Sequence, residues 1–209
     1  MSSYFVPLKA AEAELVEKRS RFIGHIWPVA DEAEARARIE EMKKRYHDAR
    51  HNCWCYRLSS GVERYSDDGE PQGTAGVPML AVFQKAEVTN LVCVVTRYFG
   101  GVLLGAGGLV RAYTQSAKDA LDAAGIGEMR PWLRLGLPCP YGLFEQVKLR
   151  CAQQSGVLED AQYADTVGMT MRFPAERAEA CSDLVRELTA GSLVPEVLGE
   201  LMAPAPADG

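Results

Sequence analysis

Leu91-Val92-Cys93-Val94-Val95-Thr96-Arg97-Tyr98, then Phe99-Gly100-Gly101-Val102-Leu103-Leu104-Gly105-Ala106-Gly107-Gly108, then Leu109-Val110-Arg111, is the stretch that decides the fold. Its first eight residues form a β-branched apolar run, the pattern of a strand buried on both faces. Five glycines follow between Gly100 and Gly108. A helix is then predicted from Leu109 to Ala124, with Leu109, Tyr113, Ala117, Ala120 and Ala124 on one side and Gly125-Ile126-Gly127 stopping it. Where a strand passes through a glycine loop into a helix, free backbone N–H groups and the positive helix end make an anion seat. Gly100, Gly101, Gly105, Gly107 and Gly108 are the candidate cradle, and Arg97 and Arg111 the candidate clamps for a phosphate. The same glycines also serve tight turning and close helix-on-sheet packing, so both readings stay open. No Gly-Lys-Ser/Thr follows, and the spacing is not GxGxxG, so neither a Walker loop nor a dinucleotide fingerprint is present.

Upstream, Leu15 to Val29 reads as one extended segment with a turn-permitting Gly24 inside it. Asp31 caps a helix to Tyr46, with Ala35, Ile39, Met42 and Tyr46 as its apolar stripe. His51 to Leu58 alternates as a strand, Gly61 turns the chain, and Val62 to Tyr65 returns. A loop from Ser66 to Gly76 precedes a short helix, Val77 to Lys85.

Downstream, a linker is placed up to Pro131, and the order becomes strand (132–139), helix (142–155), strand (157–164), strand (166–173), helix (174–190), strand (194–201). This β-α-β-β-α-β order is the ferredoxin-like pattern. The Ala/Pro-rich end from Ala203 to Gly209 is expected to be disordered. The fold class is therefore α+β, with an N-terminal domain over 1–127, a ferredoxin-like domain over 132–202 and a tail over 203–209.

Among 209 residues no apolar run reaches the roughly 20 residues of a bilayer span, and the N-terminus lacks a basic start followed by an apolar signal core. Six scattered cysteines without a CxxC pair read as reduced, buried thiols, so the expected compartment is the cytoplasm. Residues 1–125 balance 16 Lys/Arg against 16 Asp/Glu, while residues 126–209 hold 7 against 12, which places the whole net charge of −5 in the second part. An acidic chain has no long-range pull on nucleic acid, so RNA contact requires a local basic patch. Lys18-Arg19-Ser20-Arg21, Lys43-Lys44-Arg45, and Arg97 with Arg111 qualify.

Asp67, Asp68 and Glu70 lie within four positions of one another, a set of carboxylates able to hold a hard cation or act as acid and base. They equally suit a polar turn whose side chains bond the backbone, and the spacing matches no calcium loop. His47, His51, Cys53 and Cys55 invite a zinc reading, yet Cys53 and Cys55 alternate with Trp54 and Tyr56 as small core residues do, and no second ligand pair follows. No metal and no cofactor is expected.

His51-Asn52-Cys53, Arg64 through Pro71, Gly73-Thr74-Ala75-Gly76, Thr96 through Gly101 and Gly107 through Tyr113, in that order, closely resemble the IMPACT/YigZ family, as does Lys18-Arg19-Ser20-Arg21-Phe22-Ile23. The resemblance covers most of residues 15–125. It implies a first domain like the ribosomal-protein fold of domain IV of elongation factor G, shared with GHMP-type kinases, and a second like domain V. Eukaryotic members regulate translation by binding the activator of a stress-responsive initiation-factor kinase. For bacterial members nucleic-acid or ribosome binding is the usual suggestion. Cys55 stands where the family often has Ala, and Ala106 where it often has Thr, which removes a hydroxyl from the phosphate reading.

The expected function is therefore that of a translation-associated binding protein, not an enzyme, contacting RNA, the ribosome or a translation factor. Arg64, Arg97, Arg111, the five glycines and Thr74 form the expected anion or RNA surface. Ser66, Asp67, Asp68, Glu70, His51 and Asn52 support it, the carboxylates orienting the arginines, while Tyr98, Phe99 and Tyr113 stack on bases or pack. The alternative is an enzyme whose glycine loop holds a phosphorylated small molecule or nucleotide.

Overall fold

The computed structural model describes residues 3–206 and divides the chain into an N-terminal unit, Tyr4–Glu128 with residues 204–206, and a C-terminal unit, Met129–Ala203 with Ser3. In the N-terminal unit, strands β1 (Tyr4–Pro7), β2 (Ala11–Glu17) and β3 (Ser20–Pro28) lead to helix α1 (Glu32–Arg45). Strands β4 (His51–Arg57) and β5 (Glu63–Ser66), helix α2 (Gly76–Lys85), strand β6 (Leu91–Tyr98) and helix α3 (Ala106–Ala124) follow. The sheet runs β2-β3-β6-β4-β5, antiparallel throughout.

Strand alternation sorts this sheet into two cores. Leu91, Cys93 and Val95 pack with Phe22, Ile26, Cys53 and Cys55 beneath α2 and α3. Val92 and Val94 face the other way, with Tyr56 and the Ala35, Ile39 and Met42 stripe of α1. The central strand β6 is thus buried on both sides, which is why its sequence is an unbroken apolar run. Asp31 caps α1 as expected, its carboxylate accepting the Glu34 N–H at 2.9 Å.

The segment read as one extended run is a hairpin. Its turn is not at Gly24 but at Lys18 and Arg19, with φ of 46° and 66°. Gly24 lies inside β3, where a Cβ would meet the Ser116 carbonyl oxygen of α3 at 2.7 Å. Absence of a side chain there lets the helix lie on the sheet.

Next to Gly24, His25 is 3% exposed, and burial lowers its pKa against the pull of Glu12. The folded state therefore binds fewer protons than the unfolded chain below about pH 6.5, so this contribution is intact above that value and is lost as the pH falls through the depressed one. Urea midpoints of the N-terminal unit should drop from pH 7 to 5 more steeply in the parent than in His25→Phe, and equal slopes would refute the assignment.

Strand β7 (Ile126–Cys139) replaces the expected linker with continuous strand, and the unit boundary falls inside it. Helix α4 (Tyr141–Ala152), strands β8 (Val157–Tyr163) and β9 (Val167–Pro174), helix α5 (Ala178–Leu188) and strand β10 (Glu196–Pro206) complete the β-α-β-β-α-β order. Strand β9 lies antiparallel between β7 and β8, and β10 pairs with β7. Leu135, Leu137, Met169, Met171 and Phe173 pack against Val147, Cys151, Cys181 and Val185 of the helices. Ala203 to Pro206, expected to be disordered, continue strand β10, because strand pairing satisfies backbone that composition alone leaves unpartnered. Residues 207–209 lie outside the described residues. No helix among the described residues is long and apolar enough to cross a membrane.

Candidate functional site: a cationic cavity at the start of helix α3

The loop between β5 and α2 is held by its own carboxylates. Asp67 accepts the N–H groups of Gly73 at 2.8 Å, Ala75 at 3.0 Å and Gly76 at 2.8 Å, closing the loop and satisfying the start of α2. Asp68, at φ 42°, accepts the Asn52 N–H at 2.7 Å, and its carbonyl lies 2.8 Å from Nδ1 of His51. Ser66 Oγ accepts the Asp68 N–H, and Thr74 donates its hydroxyl to the Pro71 carbonyl. Asn52 accepts from Thr96 at 2.7 Å and donates to the Tyr46 carbonyl, which ties strand β4 to the end of α1. Thr74, Ser66 and Asn52 therefore brace the loop and are not presented to a ligand.

Glu70 turns inward and is the center of the site. Its Oε1 accepts Nη1 of Arg97 at 2.7 Å and the Tyr113 hydroxyl at 2.8 Å, and the two charged side chains are 3% and 7% exposed. His51 Nε2 stands 3.9 Å from Glu70 Oε2. The Arg97 guanidinium carbon lies 5.4 Å from the Phe22 ring centre and 5.6 Å from that of Phe99, so the cation is flanked by aromatic rings. Burial pushes the Cys53 thiol up, against its polar contact with the Tyr113 hydroxyl oxygen, and pushes the Tyr113 phenol up, helped by Cys53 and Glu70. Cys53 is thus a protonated thiol directed at the Asp67 carbonyl, not a nucleophile.

Above Glu70 and Arg97 opens a cavity of about 360 Å³, walled by Arg50, His51, Pro71, Phe99 and Leu103 and floored by Gly105 and Ala106. Helix α3 begins at this floor, three residues earlier than predicted, so Gly107 and Gly108 belong to its first turn and not to the loop. Gly105, at φ 73°, is its N-cap, and among the described residues no side chain caps it and no acidic residue occupies its first turn. The first N–H groups of a 19-residue helix are therefore left open beside two arginines. Gly100 has a separate role: a Cβ there would lie 2.0 Å from the Arg19 carbonyl carbon, so this glycine lets the hairpin tip rest on the loop.

The two loops expected to share one pocket do so only in part. Glu70 and Pro71 of the first meet Phe99 to Ala106 of the second, with Arg97 between them. Arg64 is the correction. It pairs in register with Tyr56, whose side chain faces α1, so it lies on the opposite face of the sheet, exposed, donating to the Glu63 carbonyl. Arg111 is exposed on α3 and lines a second cavity instead. Of the carboxylates only Glu70 orients an arginine; Asp67 and Asp68 bind backbone. Tyr113 is fully buried and cannot stack on a base, and Tyr98 donates to Asp48. Arg50, Leu103 and Leu104 were missed, because a wall assembled from the turn before β4 and the loop before α3 carries no contiguous motif. The nearest signal was an arginine adjoining His51.

Comparison with known proteins agrees with this organization. Residues 18–121 match the Impact N-terminal domain, and residues 137–192 match a domain of unknown function, DUF1949. The chain is 36% identical over 193 residues to the IMPACT family member YvyE of Bacillus subtilis, covering 91% of this chain and 89% of that one. It is 34% identical over 199 residues to YigZ of Escherichia coli, covering 92% and 97%. A Dictyostelium discoideum Protein IMPACT homolog is 34% identical over 123 residues, 56% of this chain and 35% of that protein. A solved structure described as a hypothetical protein superposes with a TM-score of 0.60 at 30% identity, over 95% of this chain and 98% of that one. With both domain matches in order and relatives aligned over nearly their whole lengths, the chain belongs to the IMPACT family, as a two-domain member of the kind found in bacteria.

Proposed function

We propose that this protein is a translation-associated binding protein that engages RNA, on or off the ribosome, by seating a backbone phosphate in the cavity at the start of α3. The observation that carries the reading is the coincidence of an uncapped helix N-terminus with a buried cation. Arg97 is 6% exposed, lines the same cavity, and has no hydrogen-bond partner for its Nε among the described residues. Arg50 adds an exposed cation at the rim, with no ion-pair partner among the described residues. Phosphate at such a site gains N–H donors, the helix dipole and guanidinium groups together. The family's link to translational control, and a fold reading in which the two domains resemble domains IV and V of elongation factor G, support the same direction, though fold by itself does not assign function.

The enzyme alternative needs Asp67 or Asp68 as cation holder or base, and both are occupied by backbone N–H groups. Binding is therefore the favored reading. Purified protein should co-sediment with ribosomes at low salt, and Arg50→Ala should weaken that association about tenfold, the lower end for a charge-assisted hydrogen bond. Arg50 is exposed, so the variant should melt as the parent does. Undiminished co-sedimentation of Arg50→Ala would count against the site. A melting shift with nucleotide and magnesium would favor the enzyme instead.

A further inference from the structure

The first turn of α3 has a cavity on each side, and we infer that it carries two consecutive phosphates of one RNA strand, one in each. This rests on the binding reading above and extends it from a single anion to a strand. The second cavity, about 260 Å³, is walled by Lys18, Glu17, Gly108 and Arg111, and Leu104 lines both cavities as the ridge between them. The charge pattern repeats across that ridge. Arg50 and Arg97 share the lining of the first cavity with one carboxylate, Glu70, and Lys18 and Arg111 share that of the second with one carboxylate, Glu17. Each side thus keeps an excess of one positive charge, in a chain whose net charge is −5.

Arg111 supplies an independent argument. A Cβ on Gly107 would lie 3.9 Å from its Nη1, so the guanidinium rests over the first turn of the helix. A cation at the positive end of a helix dipole is electrostatically unfavorable. Among the described residues it has no ion-pair partner, and α3 has no first-turn acid to offset it. An anion between Arg111 and the helix start removes the conflict. A lone phosphate in the first cavity cannot do so across the Leu104 ridge, whereas a strand crossing that ridge can.

The lip favors a single strand over a duplex. Phe99 is 41% and Leu103 82% exposed beside the first cavity. Such apolar faces meet an unpaired base, which a duplex keeps inside its stack. The hairpin tip that carries Lys18 is placed there by the Gly100 contact with Arg19.

The test is fluorescence anisotropy with a labeled uridine decanucleotide, in competition with uridine monophosphate, across a salt series. Arg50→Ala and Arg111→Ala, both exposed positions, are first checked by melting for an intact fold. Each should weaken decanucleotide binding about tenfold and flatten the slope of log affinity against log salt by about 0.7, one phosphate contact on a single strand. The monophosphate should compete far less well than unlabeled decanucleotide. If Arg50→Ala weakens binding, Arg111→Ala does not, and the monophosphate competes as well as the decamer, the site seats one anion; the strand inference is then overturned while the binding function stands. If a glutamate decapeptide displaces the RNA with the same dependence on both arginines, the surface reads acidic protein and the inference is likewise overturned. Absence of RNA binding by the parent at low salt removes both readings.

Discussion

Glu70→Ala should destabilize the N-terminal unit by about 3–5 kcal/mol, because it leaves a buried arginine without its counter-charge. Arg97 and Glu70 are 7% and 3% exposed, so solvent in the cavity reaches too little of the guanidinium to replace the lost carboxylate. The Tyr113 hydroxyl loses its acceptor in the same step. The loss is predominantly the cost of the orphaned charge, not the net worth of the pair. The double variant Glu70→Leu, Arg97→Met should therefore recover most of it while weakening anion binding in the first cavity. Urea unfolding followed through Trp27 and Trp54, both in the N-terminal unit, reads the change. A loss below about 1 kcal/mol, the scale of exposed pairs, would mean that the pair is solvated.

Gly100→Ala should be the second most damaging change. The added Cβ would stand 2.0 Å from the Arg19 carbonyl carbon and 2.4 Å from the Ser20 nitrogen, both backbone atoms that no rotamer can move. Either the hairpin tip or the glycine loop must shift, for about 2–3 kcal/mol, the upper range for an overpacked site. The Gly100 N–H also loses the Ser20 hydroxyl at 3.2 Å. Gly101→Ala is the control: it stands at φ 83° in open space, so its cost is the left-handed backbone alone, about 1–2 kcal/mol. Amide hydrogen exchange at residues 19–21 should quicken in the Gly100 variant and not in the Gly101 variant. The reverse ranking would show that the hairpin does not rest on the loop. Displacement of Lys18 should weaken RNA binding in the first variant as well.

Much of the architecture was legible in the residues. The unbroken apolar run of β6 marked the central strand, Asp31 marked the start of α1, and the alternation of Cys53 and Cys55 with Trp54 and Tyr56 separated the two faces of β4. The hairpin turn at Lys18 and Arg19 was not legible, because neither residue is a Gly or Asn of the kind a left-handed turn ordinarily uses. The start of α3 was placed three residues late, since two glycines read as loop until tertiary packing makes them helix.

The candidate site divided along the same line. Local chemistry identified the glycine loop, Arg97 and the acidic loop, because turn chemistry and helix starts are encoded by neighbors along the chain. Which arginine faces which side was decided by strand register. Pairing with Tyr56 sends Arg64 toward α1, while Arg97, opposite His51, points under α3. Glu70 became the partner of Arg97, and Asp67 and Asp68 did not, because only Glu70 is carried into the desolvated space where a charge requires a counter-charge. The order of residues established the elements and the chemistry available to them. Three-dimensional packing determined which charges are buried together and which stay exposed, because burial and pairing across 27 residues of chain are properties no local pattern contains.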